Sequence, residues 1–152
     1  MHAHLSPEQQ PGSKPRTALL LIAHGSRQPE ANADLFHVVS EMRRRGGYAI
    51  VEASFLELAE PTGEGAGARC AEQGAERVVF LPYFLSAGVH VQRDLTAMCA
   101  RLGAAHPGVE FILAEPLGRH PLLLEAVADR AREAVRNQGS EVRSQGSGVR
   151  NR

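Results

Sequence analysis

Tryptophan is absent from this 152-residue sequence, and aromatic residues amount to only 5%. A nucleic-acid face that interleaves basic and stacking side chains is therefore not what the chain offers. Net charge of one sign is missing too, because 17 basic residues balance 17 acidic ones. No global field draws the protein to a polyanion, so an anionic ligand has to be met by local groups. Cysteine occurs twice, at Cys70 and Cys99, with neither CxxC nor metal-knuckle spacing. Reduced thiols in a cytoplasmic protein are the plain reading. No apolar run approaches the roughly 18–20 residues of a membrane span. The start, MHAHLSPEQQPGSKPR, has no apolar middle of the kind a signal peptide needs, and residues 1–16 read as a disordered leader. There is no P-loop and no GxSxG elbow. The glycines at 63, 65 and 67 do not make GxGxxG, which sets aside a dinucleotide-binding oxidoreductase.

What the chain does have is four short apolar segments: TALLLIA (17–23), YAIVEASFL (48–56), RVVFLPYFL (77–85) and VEFILA (109–114). They lack strict alternation, as strands buried on both faces of a parallel sheet do. Helical stretches separate them. Residues 29–45 open on a proline and end in Arg43, Arg44 and Arg45 before Gly46 and Gly47. Residues 90–104 place Val91, Leu95, Met98 and Leu102 on one stripe, and residues 120–136 do the same with Leu123, Val127 and Ala131. Between strands two and three, Gly63, Gly65 and Gly67 weaken a helix by roughly 1 kcal/mol each, so a short or frayed helix is expected over about 64–74. The order βαβαβαβα predicts an α/β domain over 17–136, an open four-stranded parallel sheet with helices on both faces. After Asn137, VRNQGSE, VRSQGSG and VRNR repeat every seven residues with one apolar residue each. That spacing cannot build a coiled-coil seam, so 137–152 reads as a disordered tail.

Open parallel sheets bind ligands at the carboxyl ends of their strands. Strand one runs into AHGSR, which puts His24 there; strand two runs into SFLELAEP, which puts Glu57 there. The third gives PYFLSAGVH, with His90 a few residues beyond, and both intervals between the three residues are 33. Two imidazoles and a carboxylate at one sheet edge suit a divalent transition metal, and three protein ligands leave coordination positions open. Each also has a plain structural reading, as a loop histidine, a solvated carboxylate and a helix-start histidine. Asp94, four residues after His90, either orients that ring or is a helix-surface acid.

The blocks LLLIAHGSR, SFLELAEP, VVFLPYFLSAGVHVQRDL and PLGRHPLLLEAVADR resemble the small class II chelatases of the CbiX type, over about residues 17–136. The resemblance implies insertion of Co²⁺ or Fe²⁺, or Ni²⁺ in archaeal relatives, into sirohydrochlorin or a close derivative, with no tightly bound cofactor and with the metal as substrate. It implies a homodimer and assigns metal binding and catalysis to His24, Glu57 and His90. A polycarboxylate ring calls for cations and open helix N-termini. Arg27, Arg93 and Arg119 stand near strand ends, and backbone amides open the helices after Ser26 and Ser86. The small residues Ser86, Ala87 and Gly88 let a macrocycle approach His90. His120 either enters the site or starts a helix, while His37 and His106 read as structural or surface residues. The Gly-rich TGEGAGA departs from the family pattern and puts the rigidity behind Glu57 in doubt. A non-catalytic metal or tetrapyrrole carrier using the same pocket is the alternative.

Overall fold

Five consecutive residues of β1 (Thr17–Ala23), Ala18 through Ile22, are buried, and the sheet explains why. The computed structural model describes residues 13–145. In it β1 lies between β2 (Ile50–Phe55) and β3 (Arg77–Pro82), and β4 (Glu110–Leu113) closes the far edge beside β3. The strand order is β2-β1-β3-β4 and every pairing is parallel. Right-handed crossovers from such an order send the helices to both faces. Ala18, Leu20 and Ile22 point to one face and pack with Ala66 and Cys70 of α2 (Gly63–Glu72) and Leu95, Met98 and Leu102 of α3 (Val89–Ala105). Leu19 and Leu21 point to the other and pack with Leu35 and Val39 of α1 (Pro29–Arg45). Each fully buried Leu, Ile or Phe on these faces contributes about 1.5–3 kcal/mol of transfer free energy. β3 alternates, burying Val78, Phe80 and Pro82 and leaving Val79 and Leu81 half-buried.

The glycines of α2 serve a purpose that the pattern of helix propensities hides. The helix is intact over Gly63–Glu72, with the Thr62 hydroxyl accepting from the Gly65 amide as its N-cap. A β-carbon on Gly63 would lie 2.8 Å from Ile22 Cδ1, and one on Gly67 would lie 2.9 Å from Phe80 Cζ. The missing side chains let α2 press directly onto the sheet and α3, so the expected fraying gives way to close packing.

Boundaries shift where partners run out. Strand two starts at Ile50 instead of residue 48, and strand three ends at Pro82 instead of residue 85. At the N-terminus, Arg16 belongs to the expected leader, yet its N–H donates to Glu76 Oε2 (2.6 Å) and its C=O accepts from the Glu76 N–H (2.8 Å). Residues 1–12 lie outside the described residues. The chain divides between Pro116 and Leu117 into two compact units, the second carrying α4 (Pro121–Gln145), and the expected domain of residues 17–136 spans this division. α4 continues nine residues past the expected end at 136. Arg, Gln and Glu in that stretch are good helix formers, and the preceding turns carry Arg130–Glu133 and Asp129–Arg132 ion pairs. The first part of the expected disordered tail is thus helix, and residues 146–152 lie outside the described residues. Among the described residues no helix is long and apolar enough to cross a membrane.

Gly67→Ala should destabilise the fold by about 1–2 kcal/mol, because overpacking against Phe80 outweighs the gain in helix propensity. Gly103→Ala, in α3 with open space around it, should stabilise by about 0.5–1 kcal/mol; urea denaturation of both variants checks the contrast. Burial, and secondarily the Glu52 carboxylate, pushes the Cys70 thiol up from 9.0 to about 11. Because the folded state favours the neutral thiol, this contribution is complete below the unfolded thiol's range and is lost as pH rises through about 11. Native protein should therefore leave Cys70 unmodified by thiol reagents at pH 7 and lose stability on the alkaline side.

Candidate active site

The hydrogen-bond ladder between β1 and β2 continues past the strands. The Leu56 N–H donates to the Ala23 carbonyl (2.9 Å), and the Glu57 N–H donates to the His24 carbonyl (3.1 Å). His24 and Glu57 are therefore held side by side at the carboxyl edge of the sheet. Gly25 makes the close approach feasible: its φ is +93°, and a β-carbon there would fall 1.9 Å from the Glu57 carbonyl oxygen. On the other flank the Tyr83 N–H donates to the Ile22 carbonyl (2.7 Å), and the Phe84 ring stacks on His24 at 4.6 Å with a 31° tilt.

His24 and Glu57 line a cavity of about 370 Å³. Ile22, Phe55 and Leu56 contribute its apolar sheet side, while Val91, Asp94, Leu95, Met98 and Arg101 of α3 form a facing wall. Those α3 positions recur at helical spacing, so a single face of the helix is presented to the cavity. His24 also borders a second cavity of about 280 Å³, shared with Ser26, Asn32, Asp34 and Tyr83. Ser26 is fully engaged in the loop: its N–H donates to Asn32 Oδ1 (3.0 Å), its carbonyl accepts from Asn32 Nδ2 (2.8 Å), and its hydroxyl accepts from the Gln28 N–H (3.1 Å).

Of the three residues expected to hold a metal together, the structure joins two. His90 is exposed on the first turn of α3, beside the cavity-lining Val91, and is itself not among the lining residues. Among the described residues no group of three or more His, Cys, Asp or Glu side chains is placed to hold a metal ion. The register gives the reason. Ile22 is level with Pro82, so His24 is level with Phe84, and His90 lies six residues farther along. Equal sequence intervals place equivalent points of successive units at the same height only when the loops have equal length. The long turn after β3 carries His90 onto the first turn of α3, outside the residues that line the cavity.

The remaining expected ligand-binding residues scatter. Ala87 and Arg93 border a separate cavity of about 590 Å³ with Gln92, Thr96, Ala97 and Ala100, on the other side of α3. Arg27, Ser86 and Gly88 are exposed at the loops and line none of these three cavities. The N-terminus of α3 has no side-chain cap, so its first amides remain available to an anion, whereas α1 opens on Pro29, which has no N–H. His120 starts α4, its Nδ1 accepting from the Leu122 N–H (3.2 Å), and Arg119 holds a left-handed backbone at φ 67°. His37 is exposed on α1, and the His106 ring packs near Phe111 (6.2 Å) at the end of α3.

Sequence reasoning passed over Phe84, Glu64 and Arg101. The first follows from the β1–β3 register, which a sequence does not display. The other two are ordinary surface charges until folding brings α2 beside α3. There Arg101 Nε and Nη2 donate to Glu64 Oε1 and Oε2 at 3.3 and 3.1 Å. This bond lowers the Glu64 carboxyl below its ordinary value and raises the Arg101 guanidinium above its own.

The CbiX family model matches residues 18–134. The chain belongs to the CbiX family. It is 38% identical over 117 residues to the chloroplastic sirohydrochlorin ferrochelatase of Arabidopsis thaliana, covering 77% of this chain and 52% of that protein. It is 31% identical over 138 residues to the sirohydrochlorin cobaltochelatase of Methanopyrus kandleri, covering 78% of this chain and 96% of that one. The sirohydrochlorin chelatase SirB from Bacillus subtilis subspecies spizizenii, solved in complex with cobalt, superimposes with a TM-score of 0.71 at 28% identity. That match covers 78% of this chain and 50% of SirB. The chain thus spans about half the length of the chloroplast and Bacillus relatives and nearly all of the Methanopyrus one. The CbiX match includes both the His24–Glu57 edge and the whole of α3.

The approach of Gly25 to Glu57 is the most sensitive point of this site. Gly25→Ala should cost about 2–4 kcal/mol, from a left-handed backbone forced on alanine together with a clash against the Glu57 carbonyl. Chemical denaturation measures the loss, and mobility of Glu57 in NMR relaxation should rise with it.

Proposed function

We propose that this CbiX-family protein inserts a divalent metal, Co²⁺ or Fe²⁺, into sirohydrochlorin or a close derivative. The observation that carries the reading is the His24–Glu57 pair, held by one backbone hydrogen bond beside an open cavity with an apolar side. The names of the relatives, chelatases for iron and for cobalt acting on sirohydrochlorin, support the substrate class. Both metals occur among them, so the donor set alone does not choose between the two ions.

The chemistry suits these groups. Insertion forms metal–nitrogen bonds and releases two pyrrole N–H protons, so M²⁺ plus the free macrocycle gives the metallated ring and 2H⁺. A neutral imidazole either binds the incoming cation or accepts a proton, and the adjoining Glu57 carboxylate attracts the cation and helps to carry protons away. Phe84, stacked on His24, limits the swing of the ring and offers an apolar surface toward a flat substrate. His90, exposed on the first turn of α3 next to Val91, meets the metal as it arrives. Incomplete coordination is an advantage for a protein that must give its metal up, because a closed four-ligand shell would retain it. The reading includes a cytoplasmic enzyme with no tightly bound cofactor that works as a homodimer. The relatives of about twice this length support two copies acting together. So do the apolar side chains exposed along α4, Leu124, Val127 and Val135.

Visible absorbance of sirohydrochlorin with Co²⁺ or Fe²⁺, with and without substoichiometric protein, tests the proposal. Many turnovers per protein are expected, and accumulation that stops at one equivalent would leave a carrier instead. His24→Ala should lower kcat/KM about 10²-fold or more, and Glu57→Gln and His90→Ala about 10-fold each. Full rates in all three variants would sink the site assignment.

A further inference from the structure

The charges lining the His24 cavity are unevenly divided. Three carboxylates, Glu57, Glu64 and Asp94, face a single arginine, Arg101. An acidic lining attracts a dication but repels the carboxylates of a polycarboxylate ring. Arg101 is the one lysine or arginine among the residues lining this cavity, and so the one fixed cation there that a ring carboxylate can meet. Its guanidinium makes two hydrogen bonds to Glu64, with 58% and 52% of the two side chains exposed. An ion pair so exposed adds little to stability, which makes fold maintenance a weak reason for its position. Glu64 stands in the first turn of α2, where the helix N-terminus favours a negative charge, so it holds the guanidinium from the α2 side. Along α3, Val91, Leu95 and Met98 form the apolar part of this wall, about 10 Å from Val91 to Met98 at 1.5 Å per residue, with Leu95 and Met98 buried and Val91 half-buried.

We propose that Arg101 is a substrate-binding residue that exchanges Glu64 for a peripheral carboxylate of the tetrapyrrole. The inference rests on the chelatase reading and deepens it, since it fixes which end of the cavity receives the substrate's charged rim. One carboxylate replaces another in the exchange, so the guanidinium stays paired throughout and keeps its bidentate geometry. Glu64 acts as the internal competitor: it orients Arg101 while the cavity is empty of substrate and yields when the ring arrives. Glu57, beside His24 at the sheet edge, is left to the metal.

Two measurements on Arg101→Ala, Arg101→Lys and Glu64→Gln test this: the affinity for metal-free sirohydrochlorin by absorbance titration, and kcat and KM for Co²⁺ insertion. Arg101→Ala should weaken metal-free binding and raise KM by about tenfold or more while kcat stays within about twofold. Arg101→Lys should restore part of the affinity, because an ammonium supplies the charge without the fork. Glu64→Gln, which frees the guanidinium, should tighten binding by about two- to fivefold. The opposite movement of the two sites is the signature. A tie that only joins α2 to α3 would shift Arg101→Ala and Glu64→Gln in the same direction and lower both melting temperatures alike, and that result overturns the assignment. Normal wild-type turnover with unmoved variants overturns it as well, leaving the chelatase reading intact. Wild-type protein that neither binds nor metallates sirohydrochlorin overturns both.

Discussion

A single backbone contact organises the carboxyl edge of the sheet: the Glu57 amide bonded to the His24 carbonyl, just beyond the last pair of the β1–β2 ladder. Loops generally lose register once the sheet ends, and side chains on them then point where local turn chemistry sends them. Here the Leu56 and Glu57 amides still bond to the Ala23 and His24 carbonyls, so the backbone segments that carry an imidazole and a carboxylate stay adjacent. The contact demands Gly25, because any β-carbon there would occupy the place of the Glu57 carbonyl oxygen. Backbone geometry therefore sets the spacing of His24 and Glu57.

The same economy governs the cavity beside it. Gly63 and Gly67 bring α2 onto β1, β3 and α3 so closely that a methyl group would collide with Ile22 or Phe80. Close packing at the helix start sets Thr62, Gly63 and Glu64 on the cavity wall opposite the α3 face. Stability and site are coupled through small residues, and the helix-weakening composition of TGEGAGA is the condition for a tight seam. The core supplies rigidity on both sides of the sheet, and the site borrows it.

Much of the architecture was legible in the residues. Four Val-, Ile-, Leu- and Phe-rich runs separated by amphipathic stretches leave few alternatives to a parallel α/β sheet, and strand one and helix one fall on their expected bounds, 17–23 and 29–45. The strand-end rule led to His24 and Glu57 because both lie immediately after strands, where chain position and spatial position still coincide. His90 lies farther from its strand. Six residues of loop between β3 and α3 separate sequence interval from height above the sheet, and Phe84 takes the level beside His24. Arg93 faces away from the His24 cavity: without knowing where α3 begins or which stripe faces the sheet, the two sides of the helix cannot be told apart. α4 outran its expected end because the loss of apolar periodicity after Asn137 ends an amphipathic face and not a helix.

What the sequence determined by itself was therefore local and periodic: strand and helix types, the parallel class of the sheet, and the delivery of one histidine and one carboxylate to its carboxyl edge. Those follow from side-chain volume and spacing, which act over a few residues. The tertiary structure alone decided the strand order, the β1–β3 register that pairs His24 with Phe84, and the meeting of Glu64 with Arg101. These depend on contacts between segments tens of residues apart, whose energies are set by shape and distance in the packed state and leave no periodic trace along the chain.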